Sequence, residues 1–311
     1  NHSDYSHLDS INTVPKMVNR AKELGQIALG LSDHGTTSGL LHFYQECNKV
    51  GIKPILGCEF YITPTINIKD RNYHHICLYA KSFEGYKNLH QLNTFGHANM
   101  YYEPRISFEV LRKYSKDLIC TTACMGGLLN REDYEKWAIV LKEIFGDDLY
   151  LELQFNSLPE QKEYNQKVVA LANKLLIPCF CAIDSHYTLK EDAGLHRKWK
   201  MLKPDSKYFT TDDYYMMDEA DMVSRMEKHG LSRKEIIVCT SMTQEIANKC
   251  NCVIPKETDN YPVFECDDKV KLLTELVRNG MANKLSFEQQ TNHIYQERID
   301  HELNVIIKGN Y

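Results

Sequence analysis

A run of about 18 apolar residues, the length a bilayer crossing demands, occurs nowhere in this 311-residue sequence, and no cleavable leader pattern opens it. The expectation is a cytoplasmic protein with no membrane partner. Excess positive charge is missing too. With 37 basic against 42 acidic residues the net charge is −5, so bulk charge does not grip nucleic acid and any DNA contact has to be local. No Cys-x-x-Cys pair occurs among the 11 cysteines, and an odd count with no secretion signal argues for reduced thiols rather than a disulfide framework. Cys77, Cys120, Cys179 and Cys181 lie inside apolar runs and read as small buried hydrophobes, with Cys124 set apart. Internal repeats and low-complexity segments are absent. An initiating Met is also lacking, and the chain opens in the middle of a motif, so neither end is expected to be a natural terminus.

What is present is an ordinary core-forming composition, 43% hydrophobic and 25% charged. The length suits one α/β barrel of ~250 residues with an appendage. The organising stretch is IALGLSDHG, residues 27–35, an apolar run that stops at an acid, an imidazole and a glycine. Such a run reads as a buried strand, and the residues just past it face the active site in barrel and doubly wound folds. The same grammar recurs in IKPILGCE, ending on Glu59, and in IPCFCAIDSH, ending on Asp184 and His186.

Periodicity predicts helices over 13–24, 39–50, 83–92, 108–114, 132–145 and 159–176, with strands over 27–32, 55–62, 75–80, 117–122, 149–155 and 177–183. The opening order of helix, strand, helix, strand predicts a parallel sheet with right-handed crossovers, and six strands favour a barrel over an open sheet. Beyond His186 the pattern turns helical, over 190–202, 219–228, 233–250, 269–285 and 290–308. The expected division is therefore a barrel over 1–200 and a helical extension over 201–311.

His2, Asp9, His34, Glu59, Cys124, Asp184 and His186 fall at strand ends or in the loops after them, and His75 falls at a strand start. Imidazole, carboxylate and thiolate are the donors of Zn²⁺, Mn²⁺ or Fe²⁺, and there are more of them than one ion needs. Two or three ions are implied. The acids among them carry less charge than three divalent ions bring, so the site stays locally positive and can attract phosphate in an acidic protein. Asp33 has two readings, orienting His34 or capping the next helix. The other histidines, His196 among them, read as ordinary polar residues.

The blocks NHSDYSHLD, LSDHGTTSGLLHFYQECNKVGIKPILGCEFYI, LYAKSFEGYKNL, YYEPRIS, LICTTACMGG, YLELQ, IDSHY with EDAGLH, and ERIDHEL resemble the amino-terminal region of bacterial replicative DNA polymerase III alpha subunits. That region is a PHP (polymerase and histidinol phosphatase) domain followed by the entry to the polymerase body, and the resemblance runs from end to end in the family's order. It implies an α/β fold, a distorted seven-stranded (βα)7 barrel with a trinuclear metal centre, followed by a helical extension leading to the thumb and palm. His2 matches the second histidine of the family's H-x-H-S-D-Y-S-x-x-D motif and Asp9 its aspartate. The first histidine would stand just before Asn1. His34, Glu59, His75, Cys124, Asp184 and His186 match the remaining ligand positions. Ile183, Thr122 and Ser107 depart from the family's usual Asn, Ser and Asp without removing a ligand.

The resemblance implies phosphodiester hydrolysis of the 3′-5′ exonuclease, proofreading type, with up to three divalent ions, Zn or Mn and less readily Fe or Mg. Paired ions lower the pKa of a shared water and clamp the phosphate for in-line attack. Glu59, His34 and Asp184 are the candidate catalytic residues, Glu59 as a bridging ligand. Arg105 is a candidate phosphate clamp, with a loop-holding role as its alternative, and Tyr101 and Tyr102 are candidate stacking platforms for a terminal base, with a place in the core as their alternative. DNA, the remaining polymerase body and other replisome subunits are the implied partners. Nucleotidyl transfer needs palm carboxylates that by resemblance begin only after Tyr311, which makes the chain look like a fragment or half of a split gene. Two other functions compete. A metal-stapled structural module fits poorly with a nearly intact ligand set, and a free-standing PHP phosphatase should lack LYAKSFEGYKNL, YYEPRIS and ERIDHEL.

Overall fold

Alternation along the strands decides which side chains meet. The computed structural model describes residues 1–69, 71–202, 209–256, 262 and 264–309. Its sheet holds β1 (Ala28–His34), β2 (Lys53–Thr63), β3 (His74–Ala80), β4 (Arg105–Ser107), β5 (Leu118–Thr121), β6 (Leu149–Gln154) and β7 (Cys179–Ala182). The order is β1-β2-β3-β5-β6-β7, with β4 paired to β2 past the point where β1's pairing ends at Glu59. Because successive side chains point to opposite faces, Leu29, Leu31, Leu56, Cys58, Phe60 and Ile62 go to one face and join the main core. That core includes Val14, Met17, Val18 and Ala21 of α1 (Val14–Glu23), spaced as one helical stripe, and Leu40, Phe43 and Cys47 of α2 (Leu40–Val50). The sheet curls as a half-barrel with helices outside it.

The opposite, concave face carries Ile55, Ile119, Tyr150 and Phe180, which pack on Ile246, Ala247 and Cys250. Those last residues belong to the end of α9 (Arg233–Lys249) and its cap. Polar contacts fix this plug: Lys53 Nζ donates to the Ala247 carbonyl at 2.6 Å, and Lys249 Nζ lies 3.3 Å from Asp148. Further along the same face stand His34, Glu59, His75 and Asp184. Apolar residues thus fill one end of the concavity and metal-competent residues the other.

The expectation of a wholly parallel sheet is corrected at β3, which runs antiparallel to both β2 and β5, while β1–β2, β5–β6 and β6–β7 are parallel. A parallel crossover takes a dozen or more residues; only 64–73 separate β2 from β3, with no helix among the described ones. The reversal explains an oddity of the sequence. His75 sits at the start of its strand because an antiparallel strand begins where its parallel neighbours end, opposite Tyr61.

Helix α3 (Phe83–Ala98) runs beyond the expected end at 92, and the stretch read as irregular contains β4, whose three residues are too few to show alternation. Helices α4 (Phe108–Tyr114), α5 (Tyr134–Phe145) and α6 (Gln161–Leu175) complete the outer layer. Two compact units result, Asn1–Ile254 and Pro255–Tyr311. The first extends past 200 because α7 (Ala193–Lys200), α8 (Glu219–Lys228) and α9 bury Met222, Met226, Ile236 and Ile246 with the barrel core. The second carries α10 (Lys269–Lys284), α11 (Phe287–Thr291) and α12 (His293–Gly309), whose described residues form no buried core of their own. The break at Asn292 divides what the sequence read as a single helix over 290–308.

Strands β1 and β7 are the two ends of the pairing order. Ser32 N donates to the Asn1 carbonyl and His2 N to the Ser185 carbonyl, both at 2.9 Å, so the first two residues bridge the strand ends. Alongside lies a cavity of about 650 Å³, walled by Ala28, Phe180, Met222 and Thr243 and reaching Glu59, Glu152 and Asp184.

Candidate metal centre

The first ten residues form a loop whose shape depends on Asp33. That buried carboxylate accepts hydrogen bonds from Ser3 N at 2.6 Å and from Ser3 Oγ and Ser6 Oγ at 2.7 Å each, while His34 N donates to Ser6 Oγ. Asp33 therefore orients the loop that carries His2 and Asp9. Ser10 Oγ donates to the carbonyls of His2 and His186, and Asn12 Nδ2 donates to that of His2, which ties the loop to the segment after β7.

Six of the expected donors converge as three overlapping groups: His2, His34 and His186; His34, Glu59 and His75; and His2, Glu59 and Asp184. Glu59 Oε2 lies 3.5 Å from His2 Nε2, and its Oε1 faces His34 Nδ1 at 3.4 Å and also His75 Nδ1. His2 Nε2 meets Asp184 Oδ1 at 2.9 Å, and the rings of His2 and His34 stack at 4.1 Å. Asp9 Oδ2 lies 2.7 Å from His34 Nε2 and 3.4 Å from His186 Nε2. Cys124 Sγ stands 3.6 Å from His75 Nδ1. The centre thus brings together all eight residues that the sequence nominated as ligands.

Backbone geometry aims several of them. Asp184 itself has a φ of 58°, and Leu8 and Ala123, just before Asp9 and Cys124, each have 57°. Non-glycine residues persist in this costly region where the surroundings dictate it, and such positions cluster at functional sites. After Cys124 the chain turns tightly against β3. A Cβ at Gly127 would stand 2.3 Å from the Thr122 carbonyl, so only glycine fits there. The His186 ring is fixed as well. Its Nδ1–H donates to the Asp184 carbonyl at 2.8 Å, which turns Nε2 toward Asp9.

Electrostatics make the centre a set of mutually charged groups. Burial opposes ionisation of Glu59, but His75 and His34 outweigh it and hold its carboxyl well below the usual range. Asp9 behaves likewise through His34 and His186, and Asp184 is held at about 2 by His186 and His2 against its burial. Burial and the His34 charge oppose protonation of His2, yet Asp184 and Glu59 raise it on balance. Against burial, Glu59 and Asp9 raise His34 strongly. Burial, Glu59 and Asp184 push the Cys124 thiol up, so a thiolate there needs a cation beside it.

The donors fit divalent ions. His2 Nδ1, His34 Nδ1 and Glu59 Oε1 are buried with no hydrogen-bond partner, although Glu59 Oε1 is close enough to both neighbouring imidazoles for charge attraction. Buried polar atoms are rarely left so, and imidazole with carboxylate is the donor chemistry of Zn²⁺ and Mn²⁺.

Arg105 opens β4 opposite Tyr61, and its guanidinium is buried and donates to the carbonyls of Ile68 at 2.9 Å and Ile66 at 3.3 Å, 5.2 Å over the ring of Tyr101. The loop-holding alternative describes that arrangement. Tyr102 is exposed, with the Arg71 guanidinium 3.6 Å over its ring.

Four neighbours of the donors are not nominated for the site by the sequence, where His196 among them reads as an ordinary polar residue. Tyr61 faces His34 and His75 from β2. His196 Nε2–H donates to the Asp9 carbonyl at 2.7 Å, and its imidazole is lowered to about 4 by burial and by His186. Lys200 Nζ bonds Asp9 Oδ1. Glu152 is buried on the concave face of β6 and accepts from Thr121 Oγ1 and Gln154 Nε2. Alternation in YLELQ was the available signal for Glu152. Nothing local marks Lys200.

Burial, with Asp184 and Glu59 adding to it, raises the Glu152 carboxyl from 4.5 to about 7. Between those values the fold holds a proton that the unfolded chain has lost, so this group's stabilisation is full below 4.5 and is lost as pH rises through 7. The loss approaches about 3 kcal/mol. In chelator, a Glu152→Gln variant is expected to melt higher than wild type at pH 8 by about 5 °C or more and level with it near pH 5. Equal melting temperatures at pH 8 contradict a proton-holding Glu152.

The chain matches the PHP domain family over residues 1–156, half its length, and belongs to that family. It is 32% identical to the DNA polymerase III subunit alpha of Aquifex aeolicus (strain VF5), across 99% of this chain and 29% of that protein. The corresponding subunit of Borreliella burgdorferi is 39% identical across 98% of this chain and 28% of its own length, and that of Treponema pallidum 30% across 100% and 28%. This chain thus spans less than a third of the length of these relatives. Among the described residues no helix is long and apolar enough to cross a membrane.

Proposed function

We propose that this chain is the PHP portion of a DNA polymerase III alpha subunit and that its centre hydrolyses phosphodiester bonds at primer 3′ ends. The observation that supports the hydrolytic reading is the buried Glu59 carboxylate, whose two oxygens face different imidazoles, Oε2 toward His2 and Oε1 toward His34 and His75. A carboxylate so placed can serve two ions at once. When bound, divalent ions supply Lewis acidity toward a phosphate and toward an attacking water. His34 and Asp184 would help hold the ions on either side of Glu59. Asp33 keeps the loop of His2 and Asp9 closed over it, and the His186–Asp184 carbonyl bond presents one nitrogen of that ring. Polymerisation belongs to the portion of the relatives that this chain does not span. Its partners in this reading are the primer end, the rest of the polymerase and neighbouring replisome subunits.

The test is digestion of a 5′-labelled primer with a mismatched 3′ end, with the chain loaded with Mn²⁺ or Zn²⁺ and its ion content measured. Stepwise shortening that a His34→Ala variant slows at least 100-fold is the expected result. A fully loaded chain that leaves the primer intact overturns hydrolysis and makes the ions staples of the fold.

A further inference from the structure

Among the described residues, Asp9 differs from the other donors in having a cationic partner from outside the ligand set. Its Oδ2 faces His34 Nε2 and His186 Nε2, and its Oδ1 bonds Lys200 Nζ. The ammonium is no surface group, since the Lys200 side chain is 12% exposed. It is the last residue of α7 and lies 5.3 Å over the ring of Phe209, which stacks on Tyr214 at 3.9 Å and on His196 at 5.4 Å. From one turn earlier on the same helix, His196 donates to the Asp9 carbonyl. Helix α7 therefore grips Asp9 by both backbone and side chain.

We propose that Lys200 is a built-in counter-cation at the metal position formed by Asp9, His34 and His186, so that the ion bound there is the last to enter and the first to leave. The inference rests on the metal-centre reading above. An ammonium and a divalent ion at one carboxylate repel each other in a buried site where water screens little. An ion entering between Asp9, His34 and His186 has to displace the lysine from Oδ1 or bear its charge. Among the described residues, the positions around Glu59 carry no such competitor in the hydrogen bonds and ion pairs of its carboxylate, which faces His2, His34, His75 and the Cys77 thiol. Occupancy is thereby graded: the ions on Glu59 are held firmly, and the one on Asp9 follows the free-metal level.

The experiment is equilibrium dialysis of the full chain, stripped and then titrated with Mn²⁺, with ions per chain counted by mass spectrometry. Wild type is expected to fill its last position at free Mn²⁺ at least tenfold above the others. Lys200→Met and Lys200→Gln bring that last step down tenfold or more, and Lys200→Arg keeps the wild-type order. Far-UV circular dichroism checks the fold of each, and the glutamine variant serves if methionine does not fold. A last step unmoved in both neutral variants, or a wild type whose ions bind with equal affinity, overturns the role of Lys200 while leaving the centre intact. Absence of Mn²⁺ from wild type and variants alike overturns the metal centre itself.

Discussion

Replacing Glu59 with glutamine is expected to lower the affinity of the centre for Mn²⁺ or Zn²⁺ at least 100-fold and leave no more than one ion per chain. Glu59 is 3% exposed and paired in register with His34 on β1 and Cys77 on β3, so the side chain has no freedom to be replaced from elsewhere. It belongs to two of the three donor groups. Glutamine keeps the shape and one carbonyl oxygen but removes the charge and turns the other oxygen into a donor facing imidazole. Ligands for divalent ions must be anionic or carry a free lone pair; here both groups lose the anionic charge, and one of them loses its oxygen donor altogether. An ion held at a thousand times its dissociation constant stabilises by about 4 kcal/mol. Loss of such ions should lower the melting temperature in saturating metal by roughly 10 °C. In chelator the variant should lose only what the Glu59 carboxylate contributes beside His75 and His34, and the further drop in saturating metal separates lost ions from that loss. A glutamine variant that retains the full ion content removes Glu59 from the centre.

The donors were legible because each is a chemically loud residue at the end of a strand, where period-two alternation and a following turn announce it. Asp9 and Cys124 lie in loops with no period, so donor type alone nominated them and the family resemblance then matched them to ligand positions. The direction of β3 was not legible: an apolar strand reads the same in both directions, and only the shortness of the 64–73 connection hinted at a reversal. Helix α9 was seen as a helix but not as the plug of the concave face. Its buried residues, Ile236, Cys239, Ile246 and Ala247, show which face packs only once the strands supply Ile55, Tyr150 and Phe180 opposite them. Lys200 and His196 illustrate the general limit. Both act on Asp9 from about 190 residues away, and a lysine at the end of a helix is ordinarily there for the helix dipole. Arg105 shows the converse, a residue whose type suggested phosphate and whose surroundings give it loop carbonyls.

Acid is expected to empty the centre without unfolding the protein. In the metal-free chain His34 binds its proton well above the ordinary 6.5, and His2 is raised too, because both face carboxylates. An entering ion has to displace those protons, so apparent affinity should fall about 100-fold from pH 8 to pH 6 for each proton released. The fold responds in the opposite sense. A raised imidazole contributes stability that is complete below 6.5 and lost as pH rises through its folded-state value, and Glu152 adds a loss through 7. The depressed carboxyls of Glu59, Asp9 and Asp184 contribute stability that is complete above the ordinary carboxyl range and lost only as pH falls toward their low folded-state values, about 2 for Asp184. Between pH 8 and pH 5.5 the metal-free chain should therefore hold or gain melting temperature as it is acidified. The loaded chain should fall until the two curves meet, because protons take over from the ions the task of neutralising Glu59, Asp9 and Asp184. Curves that stay parallel over this range would show that the ions do not compete with protons, and hence that imidazoles are not their ligands.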